Sequence, residues 1–333
     1  MSTTYDGHNT FIRFAKQAAK GAAGTTFLLW DAGEADSLVF GETPNDREIL
    51  YGDRGKRRGA KRQGMQLPGG ALPAYPWHQD GSSVALGLIL KSFWQGSVTT
   101  VLSAGTDGTL YRQTFNKGTQ IDEDNFLYLT FQKNNALVKK NEVYLDTMTD
   151  SIDFSWEAAS NLKITPTVKS LTASRDGTMT GTGVPITDGF VMAPKLAFSL
   201  NGTTVYPASV TWAYANTLPD RQSGASRGRS GMHLGDFTGQ ITISTWRNSE
   251  TDAYFRAPYS NADPTGTLIA TWTIGTAYGS HVVDDTAYSG TITTYYAPDW
   301  LDTPAQPGDL MDSFTGDILT DSTMSYTTEL IGI

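Results

Sequence analysis

Cysteine is absent from the 333-residue chain. That excludes disulfides, cysteine-ligated zinc, iron–sulfur clusters and thiol nucleophiles together. Long apolar runs are missing as well. The longest, Val84 to Leu90, falls far short of the ~20 residues that a membrane-spanning helix needs. The first residues, Met1 to Gly24, carry Asp6, Arg13, Lys16 and Lys20 and hold no unbroken apolar stretch, which argues against a signal peptide. Histidine is scarce, limited to His8, His78, His233 and His281. Positive charge vanishes after Arg256, where Asp263, Asp284, Asp285, Asp299, Asp302, Asp309, Asp312, Asp317, Asp321 and Glu329 have no Lys or Arg among them. These absences predict a soluble protein, folded in a cytoplasm, with no membrane partner. The chain is long enough to bury a core without metal or disulfide staples.

Glycine is abundant at 34 residues, about a tenth of the chain against the usual ~7%. Threonine and tyrosine are frequent too, and this mixture favours strands and tight turns over helix bundles. Lys and Arg total 25 against 34 acids, a formal charge of −9, which makes the whole chain a poor non-specific ligand for nucleic acid. The charge is unevenly spread. From Arg47 to Arg62 there are seven basic residues, Arg47, Arg54, Lys56, Arg57, Arg58, Lys61 and Arg62, against Glu48 and Asp53. This basic loop, at 46–63, is rich in glycine and has no apolar periodicity to pack a core. A second basic Gly/Ser excursion lies between Leu218 and Leu234, with Arg221, Arg227 and Arg229.

Periodicity sets the expected elements. Phe11 to Ala23 places Phe11, Phe14, Ala15, Ala18 and Ala19 at helical spacing and predicts a short amphipathic helix. Val84 to Trp94 predicts a second helix, capped by Ser82 or Ser83 and stopped at Gly96, with Leu86, Ile89, Leu90 and Phe93 on its core face. Everything beyond reads as strand. Phe126 to Lys140 predicts a hairpin, and Ser151 to Trp156 and Leu162 to Leu171 alternate. Leu196 to Tyr206 predicts a hairpin on the Asn201-Gly202 turn, a better reading of Asn201-Gly202-Thr203 than a glycosylation site. Further strands are expected at 209–214, 239–246, 267–274 and 290–296. The cluster at 172–189 reads as a linker. A loose internal echo pairs Val143-Tyr144 with Val205-Tyr206, each followed by an aromatic alternating strand.

Catalytic patterns are not evident. There is no Gly-x-Ser-x-Gly elbow, since Gly228-Arg229-Ser230-Gly231 lacks its spacing. Asp122-Glu123-Asp124 lacks the glycine and terminal Glu of a calcium loop. Asp284-Asp285 beside His281 offers carboxylates to a cation, or simply makes a solvated turn. Nothing selects a carboxylate pair for glycoside chemistry, and no phosphate-binding glycine loop follows a strand. The chain is therefore expected not to be an enzyme, with no cofactor and no metal. The basic loop has no interleaved aromatics for base stacking, so an acidic protein surface is its favoured partner, ahead of nucleic acid or bulk water.

The run LPGGALPAYPW leading into SSVALGLILKSFWQG resembles the phage tail tube protein family, the major tail proteins of long-tailed, siphovirus-type phages. So do LYLTFQKN…DSIDFSWEAASNLKITPTVKSLTAS and KLAFSLNGTTVY…SVTWAYANT…GDFTGQITIS, and the likeness covers roughly residues 60–300. The resemblance implies a β-sandwich or barrel flanked by a helix, subunits joined into rings at sheet edges, and rings stacked into a hollow tube with long loops reaching the next ring. It implies no catalytic residues. With the chain's length and internal echo, it implies a mainly β, tandem tail-tube fold with one short helix per unit: 1–175 with the basic loop, and 176–333 with the acidic C-terminal stretch. The implied partners are copies of the chain itself, as a trimeric pseudo-hexamer or a hexamer, then tape measure, terminator and baseplate proteins. DNA would pass without specific binding, and the site of action would be the virion tail, assembled in the host cytoplasm. In that setting Arg54, Lys56, Arg57, Arg58, Lys61, Arg62, Arg221, Arg227 and Arg229 are the expected contacts between rings or subunits. The rival readings are another virion β-sandwich (decoration, baseplate or adhesion protein) and a carbohydrate-binding or carbohydrate-active module.

Overall fold

The computed structural model describes residues 11–30, 38–39, 41, 66–74, 85–105, 108–118, 125–135, 140–175, 183–184, 196–222, 228–246, 265–274, 288–299 and 311–328. Three strands, β1 (Phe11–Lys16), β2 (Phe27–Trp30) and β3 (Gly69–Ala71), precede the helix α1 (Ala85–Trp94). After it come β4 (Gln95–Gly105), β5 (Gly108–Lys117), β6 (Leu129–Asn135), β7 (Lys140–Glu157), β8 (Lys163–Arg175) and β9 (Gly183–Val184). The later strands are β10 (Leu196–Leu200), β11 (Thr203–Val205), β12 (Pro207–Ala215), β13 (Arg221–Gln222), β14 (Arg229–Gly231), β15 (Thr238–Trp246), β16 (Gly266–Ile274), β17 (Tyr288–Pro298), β18 (Met311–Ile318) and β19 (Thr323–Thr328). The fold is mainly β and antiparallel; among the described residues the short β2–β9 contact is the one parallel pairing, and α1 is the one helix.

The ladders are organised around β7. One edge of β7 carries β8 along most of its length. Its other edge is divided: residues 140–147 pair with β6 and residues 151–157 with β12. From β6 the pairing continues through β1 to β2. From β12 it runs through β15 to β18. The end of β18 then meets β17, whose same edge also takes β19. A sheet in the order β4–β5–β19–β17–β16–β10–β11 follows. Ladders thus cross between residues 1–175 and 176–333 at β7–β12, β5–β19 and the short β2–β9 contact.

Strict alternation places the core. Ile152, Phe154 and Trp156 of β7, Ile164 and Val168 of β8, Val210, Trp212 and Tyr214 of β12, and Ile241 and Ile243 of β15 all point inward, as period-two patterning requires. One continuous apolar cluster joins them to α1 and to Leu268, Ala270, Ile292 and Met324 of the other sheet. Tyr214 links the layers: its ring meets Phe93 and Trp94 of α1, and its hydroxyl lies 3.2 Å from Thr294 Oγ1 on β17. Burial raises the Tyr214 pKa well above the usual phenol range. Bare backbone makes room for bulk at Gly290, where a Cβ would collide with the Trp272 ring across the β16–β17 ladder. The Asn201-Gly202 turn joins β10 and β11 with both residues at positive φ, 48° and 83°, the geometry that Asn-Gly favours.

Four expectations change. Residues 11–16 form a strand, not the start of a helix. β1 lies between β2 and β6 and is buried on both faces, with Ile12 and Phe14 in the main core. On its other face Arg13 donates to Gln132 Oε1 at 2.9 Å and stacks over Phe27. A strand covered on both sides loses the period-two signal. Secondly, α1 stops at Trp94 through Gln95 rather than Gly96. Gln95 takes φ 58°, the left-handed position usual for glycine, and its amide bonds Ser92 O (2.5 Å) and the Leu127 N–H (2.9 Å). The capping serines lie outside the described residues. Thirdly, α1 has no exposed face to speak of, since Leu88 and Trp94 are buried along with Leu86, Ile89, Leu90 and Phe93. Finally, the expected linker begins inside β8, which runs on to Arg175.

Leu90 is fully buried, so Leu90→Ala is expected to cost about 2–5 kcal/mol in denaturant melts. Lys91 is the half-buried cation of α1, and burial first, then Lys16, lowers its pKa. A lowered lysine pKa means that folding favours the neutral form, so stability rises as pH climbs through the folded value towards the ordinary one. Lys91→Met should therefore raise the melting temperature at neutral pH and remove that alkaline increment, as followed by circular dichroism.

Candidate functional site

The sequence points to basic residues as the contact groups, and the structure separates them. Arg54, Lys56, Arg57, Arg58, Lys61, Arg62 and Arg227 lie outside the described residues. Arg221 is exposed on β13. Arg229, on β14, is turned inward, with 4% of its side chain exposed. Its Nε donates to Asp220 Oδ1 at 2.5 Å, and its Nη1 donates to Pro68 O (2.6 Å) and Ser170 O (2.7 Å). The planar fork of guanidinium donors is suited to holding several oxygens at once, and here it ties β14, β8 and the segment entering β3 to one another. Arg229 is thus engaged within its own chain rather than presented to a neighbour.

A second fastening lies beside it. Lys169 on β8 donates to Leu218 O at 2.8 Å and pairs with Asp150 at 3.2 Å, while Asp150 Oδ1 accepts from the Leu218 N–H at 2.8 Å. Asn216 donates from its side chain to Phe93 O at the end of α1 (2.6 Å) and from its backbone to Asp150 O. Under this polar frame Leu218 and Met232 are buried against Phe126, Tyr128, Met148 and Leu171 in a small core of their own. The excursion after β12 is therefore docked on the sheet by a hydrophobic seal and two charged fastenings. Sequence reading singled out Arg229 but not Asp220, Lys169 or Asp150. Nothing local marks them, because their partners lie 9 to 68 residues away in the chain.

The other candidate is a strand edge. β4 pairs with β5 along one side, and among the described residues no strand pairs along the other. It is 11 residues long, QGSVTTVLSAG, without a charge or a proline. Val98 and Val101 are more than half exposed, at 56% and 58%. Edges of this length are normally blunted by Lys, Pro or a covering element. The signal was present in the sequence as a Val/Thr-rich run without gatekeepers, but its position after a helix hid it. At the opposite end of the same sheet stands β11, also paired on one side, followed by Tyr206, which is 84% exposed.

Among the described residues no three His, Asp or Glu side chains cluster to hold a metal. His233 is half-buried, and His8, His78, His281, Asp284, Asp285 and the 122–124 acids lie outside the described residues. No described helix is long and apolar enough to cross a membrane. Comparison with protein-family models and with characterised proteins returns no match.

Removing Asp220 would leave the buried Arg229 charge without its carboxylate. Asp220→Ala should cost about 1–3 kcal/mol, measured by guanidinium denaturation, whereas Arg221→Ala, at an exposed position on the same hairpin, should stay within about 0.5 kcal/mol of the parent.

Proposed function

We propose that this chain is a structural virion subunit that polymerises through its sheet edges into stacked rings forming the hollow tail tube of a long-tailed phage, and that it performs no catalysis. The observation that carries the reading is the uncharged β4 edge with its exposed valines. An 11-residue edge without gatekeepers is a liability in a monomer and an asset in a protein built to add strands. Among the described residues the two edges of its sheet, β4 and β11, stand on opposite sides. Contact between them is head-to-tail, and such contacts generate rings when the rotation closes. Support also comes from the resemblance of residues 60–300 to tail tube proteins. On this reading the division at 175/176 marks two tube-like units, three chains complete a pseudo-hexameric ring, and tape measure, terminator and baseplate proteins meet its ends. The net charge of −9 suits a conduit that must not grip DNA phosphates.

A second reading, a decoration, baseplate or adhesion β-sandwich, draws on the exposed aromatics Tyr206 and Trp246. It predicts discrete monomers or trimers.

Negative-stain microscopy of concentrated protein separates the two. Filaments of constant width are expected. Thr99→Lys with Val101→Lys on β4 should raise the concentration needed for assembly at least ~10-fold, about 1.4 kcal/mol per contact, with the far-ultraviolet dichroism unchanged. Discrete particles at every concentration would reject the tube reading, and unaltered filaments in the double variant would reject the β4 edge as its basis.

A further inference from the structure

The outward face of the sheet β8–β7–β12–β15–β18 carries chemistry that neither the core nor the strand edges use. Period-two alternation puts every second residue of these strands outside, and the ladders align them in rows. One row runs Glu157, Ser209, Ser244 and Ser313 across β7, β12, β15 and β18. The next runs Ser155, Thr211, Thr242 and Thr315. These residues are all exposed or half-buried, and Ser244 Oγ donates to Ser313 Oγ at 3.1 Å. Just beyond the first row stand two aromatic residues. Pro207 pairs with Thr245. Tyr206 immediately precedes the one and Trp246 immediately follows the other, so their Cα atoms lie within about 13 Å of each other. Tyr206 is 84% exposed and Trp246 55%.

We propose that this face binds a neutral polysaccharide, whose sugar rings stack on Tyr206 and Trp246 and whose hydroxyls bond to the serine and threonine rows. A pyranose ring has an apolar C–H face and a hydroxylated rim. A flat aromatic side chain suits the first. A Ser or Thr hydroxyl, with one donor and two acceptor sites, suits the second, because sugar hydroxyls give and accept hydrogen bonds in the same way. Successive rows are about 7 Å apart along β15, so the aromatic end and the two hydroxyl rows span about 14 Å. That open platform has room for a few linked sugar rings. The hydroxyl rows belong to the other sheet from β4 and β11, so the proposal does not rest on the tube reading.

Charge selects the neutral class. Among the described residues around the two rows, Asp153, Glu157, Asp299 and Asp317 stand against Lys163. Asp299 Oδ2 accepts from Thr315 Oγ1 at 2.5 Å, which sets a carboxylate at the margin of the second row. A surface of that sign repels nucleic acid and acidic polysaccharides alike, while its carboxylates accept from sugar hydroxyls. The same residues argue against a protein as the occupant. Serine and glutamate, which flank the two rings here, are depleted in protein–protein interfaces.

Affinity electrophoresis of the full chain tests this. Native gels containing dextran, soluble starch, galactomannan, galactan or mixed-linkage glucan, all neutral, are compared with gels containing polygalacturonate, a polyanion. At least one neutral polymer should retard the chain, and polygalacturonate should not. Tyr206→Ala and Trp246→Ala should each weaken the affinity, read from mobility against polymer concentration, at least ~5-fold, and the double variant should migrate as in a blank gel. Thr211→Val with Thr242→Val, which keeps strand-forming shapes and removes two hydroxyls, should also weaken it. Tyr295→Ala, at an exposed tyrosine of β17 in the other sheet, should leave it unchanged. Circular dichroism melts check the fold of each variant, and Tyr206→Ala, at the more exposed ring, decides if Trp246→Ala melts early. Retardation by no neutral polymer, or retardation that survives the loss of both rings, overturns the proposal. Stronger retardation by polygalacturonate overturns the neutral class, and unchanged affinity in the threonine double variant overturns the role of the rows. Each run is made below the concentration at which filaments form, so failure here leaves the assembly reading standing.

Discussion

The architecture depends on β7 serving two ladders along a single edge. Its first half holds β6 and its second half holds β12, so residues 148–150 sit where one neighbour ends and the next has not begun. Backbone groups there need other partners, because an unpaired buried amide costs as much as a lost hydrogen bond. Helix α1 supplies them: Ser92 Oγ accepts from the Thr149 N–H, and Ile89 O accepts from Thr149 Oγ1. Asp150 O takes the Asn216 N–H, and Asn216 reaches back to the end of α1. Asp146 relieves the bend nearby with φ 53° and accepts the Gly21 N–H through its carboxylate. The helix is therefore a plug for an interrupted sheet edge, which explains why it is apolar nearly all round.

The same corner directs the chain that follows β12. Because Asn216 and Leu218 are held at Asp150, the chain leaving β12 turns back over β8 instead of continuing into solvent. Its return path brings Arg229 against the backbone before β3. A buried guanidinium stays solvated in effect only if its donors find oxygens, and Asp220, Pro68 and Ser170 provide them.

The sequence was most informative where one face of a strand is wet. β8, β12 and β15 alternate cleanly, and their inward residues could be read directly. The hairpin at Asn201-Gly202 was equally plain, since only a few residue pairs accept two positive φ values. β1 was misread because its second face is buried too, with Arg13 set against Gln132 and Thr130 of β6, and a strand buried on both faces lacks the apolar–polar alternation that marks one. Val98 and Val101 were readable as strand formers but not as an edge, since edges are defined by what is absent beside them. The Arg229 fastening was the least legible. Its arginine looked like one more charge in a glycine-rich loop, and burial turned it into a structural group only after residues far apart in sequence had met.

The placement of β19 bears on how the chain comes to be made. β19 inserts between β5 and β17, and it lies about 200 residues downstream of β5, a separation that slows folding through loop-closure entropy. Until it emerges from the ribosome, β5 is open on the side away from β4, and the sheet holding β4 is a two-stranded ribbon, marginal on its own in water. A nascent chain thus carries an open β5 edge until residues 323–328 have been made. The ribbon that carries β4 becomes part of a broad sheet late, when β19 slots between β5 and β17.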